Sequence, residues 1–265
     1  MRIGIVAPSC PITPEMAEQL HQLVGGRAEL RIHPQCYLTH GHFAGPDAAR
    51  ADALVEYAND PAIDAIWFAR GGYGACRIVE AVLPRLSGVA RDKQWMGYSD
   101  AGTLLGALYS EGCSRVAHGP MPADLNRRGG EAAVARALDW LVDGRAAACE
   151  PSPGRKAAFN ITILAHLIGL PWQPELSGHV LLLEEVSEYH YRIDRALAQI
   201  TAHPGIRRVA GIRLGRCSQI PENDVDFGMD EVAIAEHWCR VSGIPFLGRA
   251  DIGHDSANKV VPFGR

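Results

Sequence analysis

The sequence predicts an α/β protein with a Rossmann-like, mostly parallel sheet in its N-terminal domain and a smaller C-terminal α/β domain. Two observations support this fold class. Buried-type apolar runs alternate with helical segments through residues 1–145, and the composition shifts to small residues, Pro and Gly at 146–158 before the alternation resumes. Alternating strands and helices build parallel sheets covered by helices on both faces. We therefore predict an N-terminal domain at 1–145, a linker at 146–158 and a C-terminal domain at 159–265.

The N-terminal elements follow one another in a regular order. The first strand, at 2–9, precedes a helix at 13–24 that Thr13 caps and that begins with Pro14, as helix starts favour. The later predicted strands span 28–34, 62–70, 93–99 and 115–121, and the later predicted helices span 46–60, 71–83 (after a glycine turn), 100–112 and 131–144. This order predicts that the strands end at one common edge of the sheet.

The C-terminal elements repeat the alternation on a smaller scale. Predicted helices span 160–170, 191–203 and 229–243, and predicted strands span 179–186, 209–217 and 244–254, the last ending in a loop. The chain shows no convincing internal repeat and no low-complexity tract.

Composition narrows the class of protein. With 265 residues, 47% hydrophobic and 21% charged, the chain can bury a substantial core. A formal net charge of -4 with scattered basic residues predicts neither nucleic acid nor a membrane as partner. The N-terminus lacks the longer apolar core of a secretory signal, and no segment approaches the length of a transmembrane helix. We expect a cytoplasmic protein.

The 7 cysteines agree with that location, because they are odd in number, widely spaced and without a C-x-x-C pair. A metal site is a competing use of the histidines and acids. The chain has no H-E-x-x-H motif, and the close pair His40 and His42 lies in a loop without a nearby third ligand. We predict no metal site.

Polar residues follow the ends of several predicted strands, where open α/β sheets bind ligands. They are the glycine turn Arg70-Gly71-Gly72-Tyr73-Gly74, the pair Ser99-Asp100, the pair Glu184-Glu185, and His254. The glycines could direct backbone N–H groups into a cleft, towards an anion or a developing oxyanion. Taken alone, they are more typical of a tight turn that needs positive φ.

Ser99 follows a strand and precedes a helix, so two interpretations stand. Ser and Asp are favoured helix caps, and a serine on a strand–turn–helix junction is also the setting of a nucleophile. The local sequence departs from G-x-S-x-G because Ala101 occupies the place of the second glycine. Position alone does not choose between a cap and a nucleophile.

A nucleophilic serine needs a base, and the base needs an acid to orient it. Among 11 histidines, His254 is the best placed, since it follows a strand end with a glycine, and His118 is the second choice. Three leucines lead directly into Glu184 and Glu185, where burial would be costly without partners. The alternative for these acids is an exposed strand terminus.

Together these motifs resemble the LD-carboxypeptidase family of serine peptidases, the murein tetrapeptide carboxypeptidases, over nearly the whole chain. The matching segments, in order, are "RGGYGACRI" (70–78), "GYSDAGTLLGAL" (97–108), "HGPM" (118–121), "LLLEEVSEYHYRIDRAL" (181–197) and "GHDSANKVVPFG" (253–264). One departure occurs before the mid-chain helix, where the family has Gly-Gly-Asn and this chain has Ala158-Phe159-Asn160.

The resemblance implies a catalytic triad of Ser99 as nucleophile, His254 as general base and Glu184, rather than Glu185, as orienting acid. It implies an oxyanion hole formed by the backbone N–H groups of Gly72 and Asp100, and an active site at the domain interface. Further substrate contacts are expected from the following residues: Arg70, Tyr73, Tyr98 and Asn160.

The implied reaction releases the terminal D-alanine from a murein tetrapeptide, a small peptide substrate, through an acyl-enzyme. Such enzymes need no cofactor and are commonly homodimers, so we expect a homodimer here. Two alternatives remain on the same fold. One is a microcin C immunity-type peptidase acting on acyl-sulfamoyl adenylates, for which Trp172 is a candidate adenine platform. The other is a non-catalytic ligand-binding protein.

Overall fold

Two β-sheets and nine α-helices form the protein in a computed structural model that describes residues 1–265. The strands are β1 (Arg2–Val6), β2 (Glu29–Ile32), β3 (Ala65–Phe68), β4 (Gln94–Gly97), β5 (Val116–His118), β6 (Lys156–Asn160), β7 (Val180–Val186), β8 (Gly211–Ser218), β9 (Phe246–Arg249) and β10 (Val261–Pro262). The helices are α1 (Pro14–Val24), α2 (Asp47–Asn59), α3 (Val79–Val82), α4 (Gly88–Asp92), α5 (Gly102–Ser110), α6 (Gly130–Leu141), α7 (Ile161–Leu167), α8 (His190–Ala202) and α9 (Glu231–Ser242).

The first sheet has the strand order β10-β5-β4-β3-β1-β2, and the second has the order β6-β7-β8-β9. All pairs within both sheets are parallel except the pair of β10 with β5. The predicted fold class, a mostly parallel α/β sheet followed by a second α/β unit, is therefore confirmed.

The central strand β3 shows why this sheet is buried on both faces. All four of its residues are buried. Ile66 and Phe68 belong to one apolar cluster, whereas Ala65 and Trp67 belong to another, because side chains alternate between the faces of a strand. The cluster that contains Phe68 continues into the second sheet through Phe159 and Leu183, so one core joins the two sheets.

Residues 146–158, predicted as a linker, include the start of strand β6, which begins at Lys156. Ala157 and Ala158 are fully buried or nearly so. They belong to the apolar core, Ala157 in one cluster and Ala158 in another. A strand built of small residues is easily mistaken for a connecting segment.

The end of the chain returns to the first sheet. Val261 and Pro262 of β10 pair antiparallel with His118 and Ala117 of β5. Residues just before this strand therefore lie beside the carboxyl ends of β4 and β5. This return brings the predicted base, His254, to the edge that carries Ser99. No helix of the structure has the length and apolar character needed to cross a membrane.

Candidate active site

Ser99 lies in a sharp turn between β4 and α5. Its φ angle is 57°, in the left-handed region that non-glycine residues rarely occupy. Gly97 permits the turn, because a Cβ there would lie 2.9 Å from Phe68 Cδ2 and 3.2 Å from Ala101 Cβ. The Ser99 side chain makes no cap to the helix that follows. Of the two interpretations, the structure therefore leaves the helix cap without support.

The glycine turn packs directly against this serine. A Cβ on Gly71 would lie 2.9 Å from Ser99 Cβ and 3.1 Å from Ser99 Oγ. Gly72 has a φ of 117°, and a Cβ there would lie 2.3 Å from Cys10 Sγ. The turn therefore needs glycine conformations, and it lies against the serine.

Glu184 and His254 form a buried pair. The His254 Nδ1 atom lies 2.6 Å from Glu184 Oε2, and the two residues are 6% and 0% exposed. The loop that carries His254 approaches β7 closely because Gly215 of β8 has no side chain: a Cβ there would lie 2.7 Å from Ile252 and 3.0 Å from Glu184 Cβ. The sequence-predicted acid and base are therefore in direct contact.

Burial lowers the pKa of His254, but the neighbouring Glu184 carboxylate outweighs this effect and raises the pKa above its usual 6.5. The other ring nitrogen, Nε2, is buried and has no hydrogen-bond partner within the chain. It belongs to a residue that lines the same cleft as Ser99. His254 therefore has one nitrogen bound to an acid and the other without a partner.

Several contacts hold His254 in place. The Tyr98 ring lies 4.8 Å from the imidazole, centroid to centroid, and the Tyr98 hydroxyl donates to Asp124 Oδ1 at 2.6 Å. Arg127 donates to Asp124 Oδ1 at 2.9 Å and to the His254 carbonyl at 2.5 Å. Farther along the loop, the Gly253 N–H donates to Asn258 Oδ1. His254 is thus fixed by side chains from both parts of the molecule.

His118, the second choice for the base, is bound elsewhere through one ring nitrogen. Its Nε2 lies 3.3 Å from Asn258 Oδ1 in the interior of the protein. Burial lowers its pKa to about 4. It is therefore a neutral, packed histidine at physiological pH, and it does not line the cleft that contains Ser99.

Glu185 points away from His254 and organises the start of α7. Its carboxylate accepts hydrogen bonds from Asn160 Nδ2 at 2.5 Å, from the Thr162 N–H at 2.9 Å and from the Thr162 hydroxyl at 2.8 Å. The Asn160 Oδ1 atom caps α7 by accepting from the Ile163 N–H. Asn160, expected to contact substrate, is instead buried and uses both ends of its amide inside the protein. Asn160 was chosen from a family motif alone, and such a motif could not show that the Asn160 amide is bonded to Glu185.

The cleft has a volume of about 300 Å³. Four predicted residues besides Gly72 line it: Arg70, Tyr98, Ser99 and His254. Tyr73 lies outside it and is half-exposed. Asp100 is buried, and its side chain bonds Ser9 and the Ala75 N–H rather than capping a helix.

Sequence reasoning missed three further polar residues that line the cleft: Asp124, Asn126 and Arg127. They follow β5, in the segment that runs on from the predicted strand at 115–121. Their position directly after a strand end was the signal available in the sequence. No group of three or more His, Cys, Asp or Glu side chains has the arrangement needed to hold a metal ion.

Comparisons with known proteins identify the family of this chain. The model of the LD-carboxypeptidase N-terminal domain matches residues 3–119, and that of the LD-carboxypeptidase C-terminal domain matches residues 154–265. The murein tetrapeptide carboxypeptidase of Pseudomonas aeruginosa is 25% identical, with the match covering 100% of this chain and 91% of that protein.

Two solved structures show the same fold. The muramoyltetrapeptide carboxypeptidase of Oxalobacter formigenes superposes with a TM-score of 0.83 at 24% identity, over 100% of this chain and 93% of that one. The microcin C7 self immunity protein MccF, in complex with aspartyl sulfamoyl adenosine, superposes with a TM-score of 0.82 at 18% identity, over 99% and 91% of the two chains. From the two family matches and the full-length relative, we conclude that this chain belongs to the LD-carboxypeptidase family and is a serine-type carboxypeptidase.

Proposed function

We propose that the protein releases the terminal D-alanine from murein tetrapeptides in the cytoplasm, through a Ser99–His254–Glu184 triad. The observation that carries this proposal is the buried contact of 2.6 Å between His254 and Glu184, with the opposite imidazole nitrogen unpaired in a cleft that Ser99 also lines. A base with an orienting acid on one side and a serine on the other is the arrangement that acyl transfer requires.

The proposed reaction begins with attack of Ser99 Oγ on the carbonyl that joins the L-centre of meso-diaminopimelate to D-alanine. His254 Nε2 takes the serine proton and then gives it to the leaving amine as the C–N bond breaks. The Glu184 carboxylate stabilises the imidazolium formed between these two transfers. Water, deprotonated by His254, then hydrolyses the Ser99 ester and restores the serine.

The oxyanion of the tetrahedral intermediate is assigned to the backbone N–H groups of Gly72 and Asp100. Gly72 borders the cleft, and its neighbour Gly71 packs on the serine. Asp100 directly follows Ser99, so its N–H belongs to the same turn. Fixed donors of this kind stabilise the developing charge without reorganisation during the reaction.

A carboxypeptidase must also recognise the free carboxylate at the end of its substrate. Arg70 and Arg127 are the two cations that line the cleft. Arg127 is neutralised by Asp124 at 2.9 Å, whereas Arg70 donates only to the Pro11 carbonyl and has no acidic partner. We assign the terminal carboxylate of the peptide to Arg70 on this ground.

The test is D-alanine release from a panel of defined tetrapeptides. Ser99→Ala is expected to lower the rate by at least about 10⁴-fold, because removing a triad member leaves only binding and the oxyanion hole. Ser87→Ala is the matched control, since Ser87 is exposed and its hydroxyl makes no hydrogen bond. Undiminished release by Ser99→Ala would refute the assignment.

The same panel should contain acyl-sulfamoyl adenylates, the alternative substrates. Trp172, the candidate adenine platform, packs against the core and does not line the cleft, so its position does not favour that alternative. Cleavage of these conjugates without any D-alanine release would replace the proposed substrate while leaving the triad in place. Sedimentation of the purified protein tests the expected homodimer.

A further inference from the structure

The side chain of Asp100 joins three segments of the chain. Its Oδ2 atom accepts a hydrogen bond from the Ser9 hydroxyl at 2.5 Å and another from the Ala75 N–H at 2.9 Å. Ser9 and Ala75 are fully buried, and Asp100 is 3% exposed. One carboxylate oxygen thus connects the loop after β1, the end of the glycine turn and the turn that carries Ser99.

Arg50 holds the same part of the glycine turn from the other side. It is fully buried, and its Nη1 donates to the Gly74 carbonyl at 2.9 Å and also to the Pro8 carbonyl. The Gly74 carbonyl and the Ala75 N–H belong to one peptide group. The oxygen of that peptide therefore accepts from the Arg50 guanidinium, and its N–H donates to the Asp100 carboxylate. Arg50 also bonds to Pro8, and Asp100 also bonds to Ser9.

Packing alone does not explain this arrangement, because burying a carboxylate costs free energy. Burial raises the pKa of Asp100, against the opposing effect of its hydrogen bonds from Ser9 and Ala75. An apolar side chain would fill the position without the cost of burying a carboxylate. What the carboxylate adds is a defined orientation of the Gly74–Ala75 peptide, two residues after Gly72.

We propose that the Asp100 side chain is a positioning residue that sets the distance between the two oxyanion donors. In the proposed function, on which this inference rests, Asp100 supplies one donor through its own N–H, and Gly72 supplies the other. Because the Asp100 carboxylate holds the turn that carries Gly72, the residue that provides the first donor also places the second. Such donors must lie within about 2.7–3.1 Å of the oxyanion, so a small displacement of the turn removes much of their effect.

The decisive variant is Asp100→Ala, because it removes the carboxylate and keeps the backbone N–H. We expect kcat to fall by about 10²-fold, the typical effect of losing one oxyanion donor, with KM within about threefold of the wild-type value. Asp100→Asn keeps an acceptor oxygen in the same place and should recover most of the lost activity. Ser9→Ala, which removes one of the two bonds to the carboxylate, should lie between wild type and Asp100→Ala.

A second measurement separates positioning from a general loss of structure. A tripeptide aldehyde that ends at the L-centre of diaminopimelate forms a hemiacetal with Ser99 whose oxygen occupies the hole. An uncleaved tetrapeptide bound to Ser99→Ala does not need the hole. Asp100→Ala should weaken aldehyde binding about as much as it lowers kcat, and in the Ser99→Ala background it should leave tetrapeptide binding unchanged. End-point labelling of Ser99 with a fluorophosphonate counts the correctly folded sites in each preparation.

Wild-type kcat in Asp100→Ala, or a loss fully explained by a smaller number of labelled sites, would overturn the inference and leave the triad intact. Parallel weakening of aldehyde and tetrapeptide binding would overturn it as well, because it would show a change in the whole cleft. Wild-type turnover by Ser99→Ala would instead refute the proposed function, and with it the hole that Asp100 is inferred to organise.

Discussion

The two sheets contribute to the cleft in different ways. The first sheet supplies backbone geometry: Ser99 at a φ of 57° and Gly72 at a φ of 117°. The second sheet supplies ionisable side chains, with Glu184 and His254 in contact at 2.6 Å. The contribution of the first sheet depends on the direction of backbone N–H groups and on the absence of Cβ atoms. The contribution of the second sheet depends on charge. Substitutions can therefore be chosen that damage one contribution and spare the other.

Among substitutions that separate the two contributions, the largest effect is expected from Glu184→Gln, which keeps the shape of the second-sheet pair and removes its charge. The imidazolium then loses its counter-ion, and the amide can hold the ring in the wrong tautomer. We expect kcat/KM to fall by about 10³- to 10⁴-fold, as for the equivalent change in other triads, with the folded structure retained. Steady-state kinetics and circular dichroism check the two parts of this prediction.

Glu185→Gln is the matched control, since it makes the same chemical change one residue along β7. Glu185 accepts from Asn160 and Thr162 at the start of α7. In the variant, the NH₂ group of the glutamine side chain would face donors instead of accepting from them. We expect the free energy of unfolding to fall by about 1–3 kcal/mol and activity per folded molecule to stay within about threefold. Equal losses of activity in the two variants would contradict the assignment of Glu184 as the orienting acid.

On the first-sheet side, Gly72→Ala should lower kcat by about 10- to 10²-fold, because it displaces one of two oxyanion donors. The added Cβ would lie 2.3 Å from Cys10 Sγ at a φ of 117°, so the turn must shift. Gly26→Ala is the control, since Gly26 also has positive φ (84°) but its Cβ would meet nothing within 4 Å. A Gly72→Ala enzyme as active as the Gly26→Ala enzyme would exclude Gly72 from the hole.

The smallest effect is a change in pH dependence. Since Glu184 raises the pKa of His254 above 6.5, and only the neutral imidazole can accept the serine proton, kcat/KM should increase with pH through a midpoint above 6.5. In Glu184→Gln the residual activity should show a midpoint at lower pH. His118, with a pKa of about 4, should contribute nothing between pH 5 and 8. A midpoint that does not move in Glu184→Gln would show that another group controls the profile.

Much of the site was predictable because its residues lie at strand ends. Ser99, Glu184 and His254 each follow an apolar strand pattern, and parallel strands bring such ends to one edge. The choice of Glu184 over Glu185 came from a family motif, since both carboxylates follow the same leucines. Asn160 shows the limit of that approach: its motif suggested a substrate contact, but its amide is used by Glu185 and α7.

The sequence by itself determined the alternation of strands and helices, the two-part organisation and the residue types at each strand end, because these depend on local periodicity and on short motifs. Only the tertiary structure decided which residues meet. It made the end of the predicted linker part of the edge strand β6. It also left the Nε2 atom of His254 without a partner, whereas the Nε2 atom of His118 lies against Asn258. It also placed the Asp100 carboxylate on Ser9 and Ala75, residues 91 and 25 positions away. Such contacts join distant segments, and local sequence patterns carry no record of them.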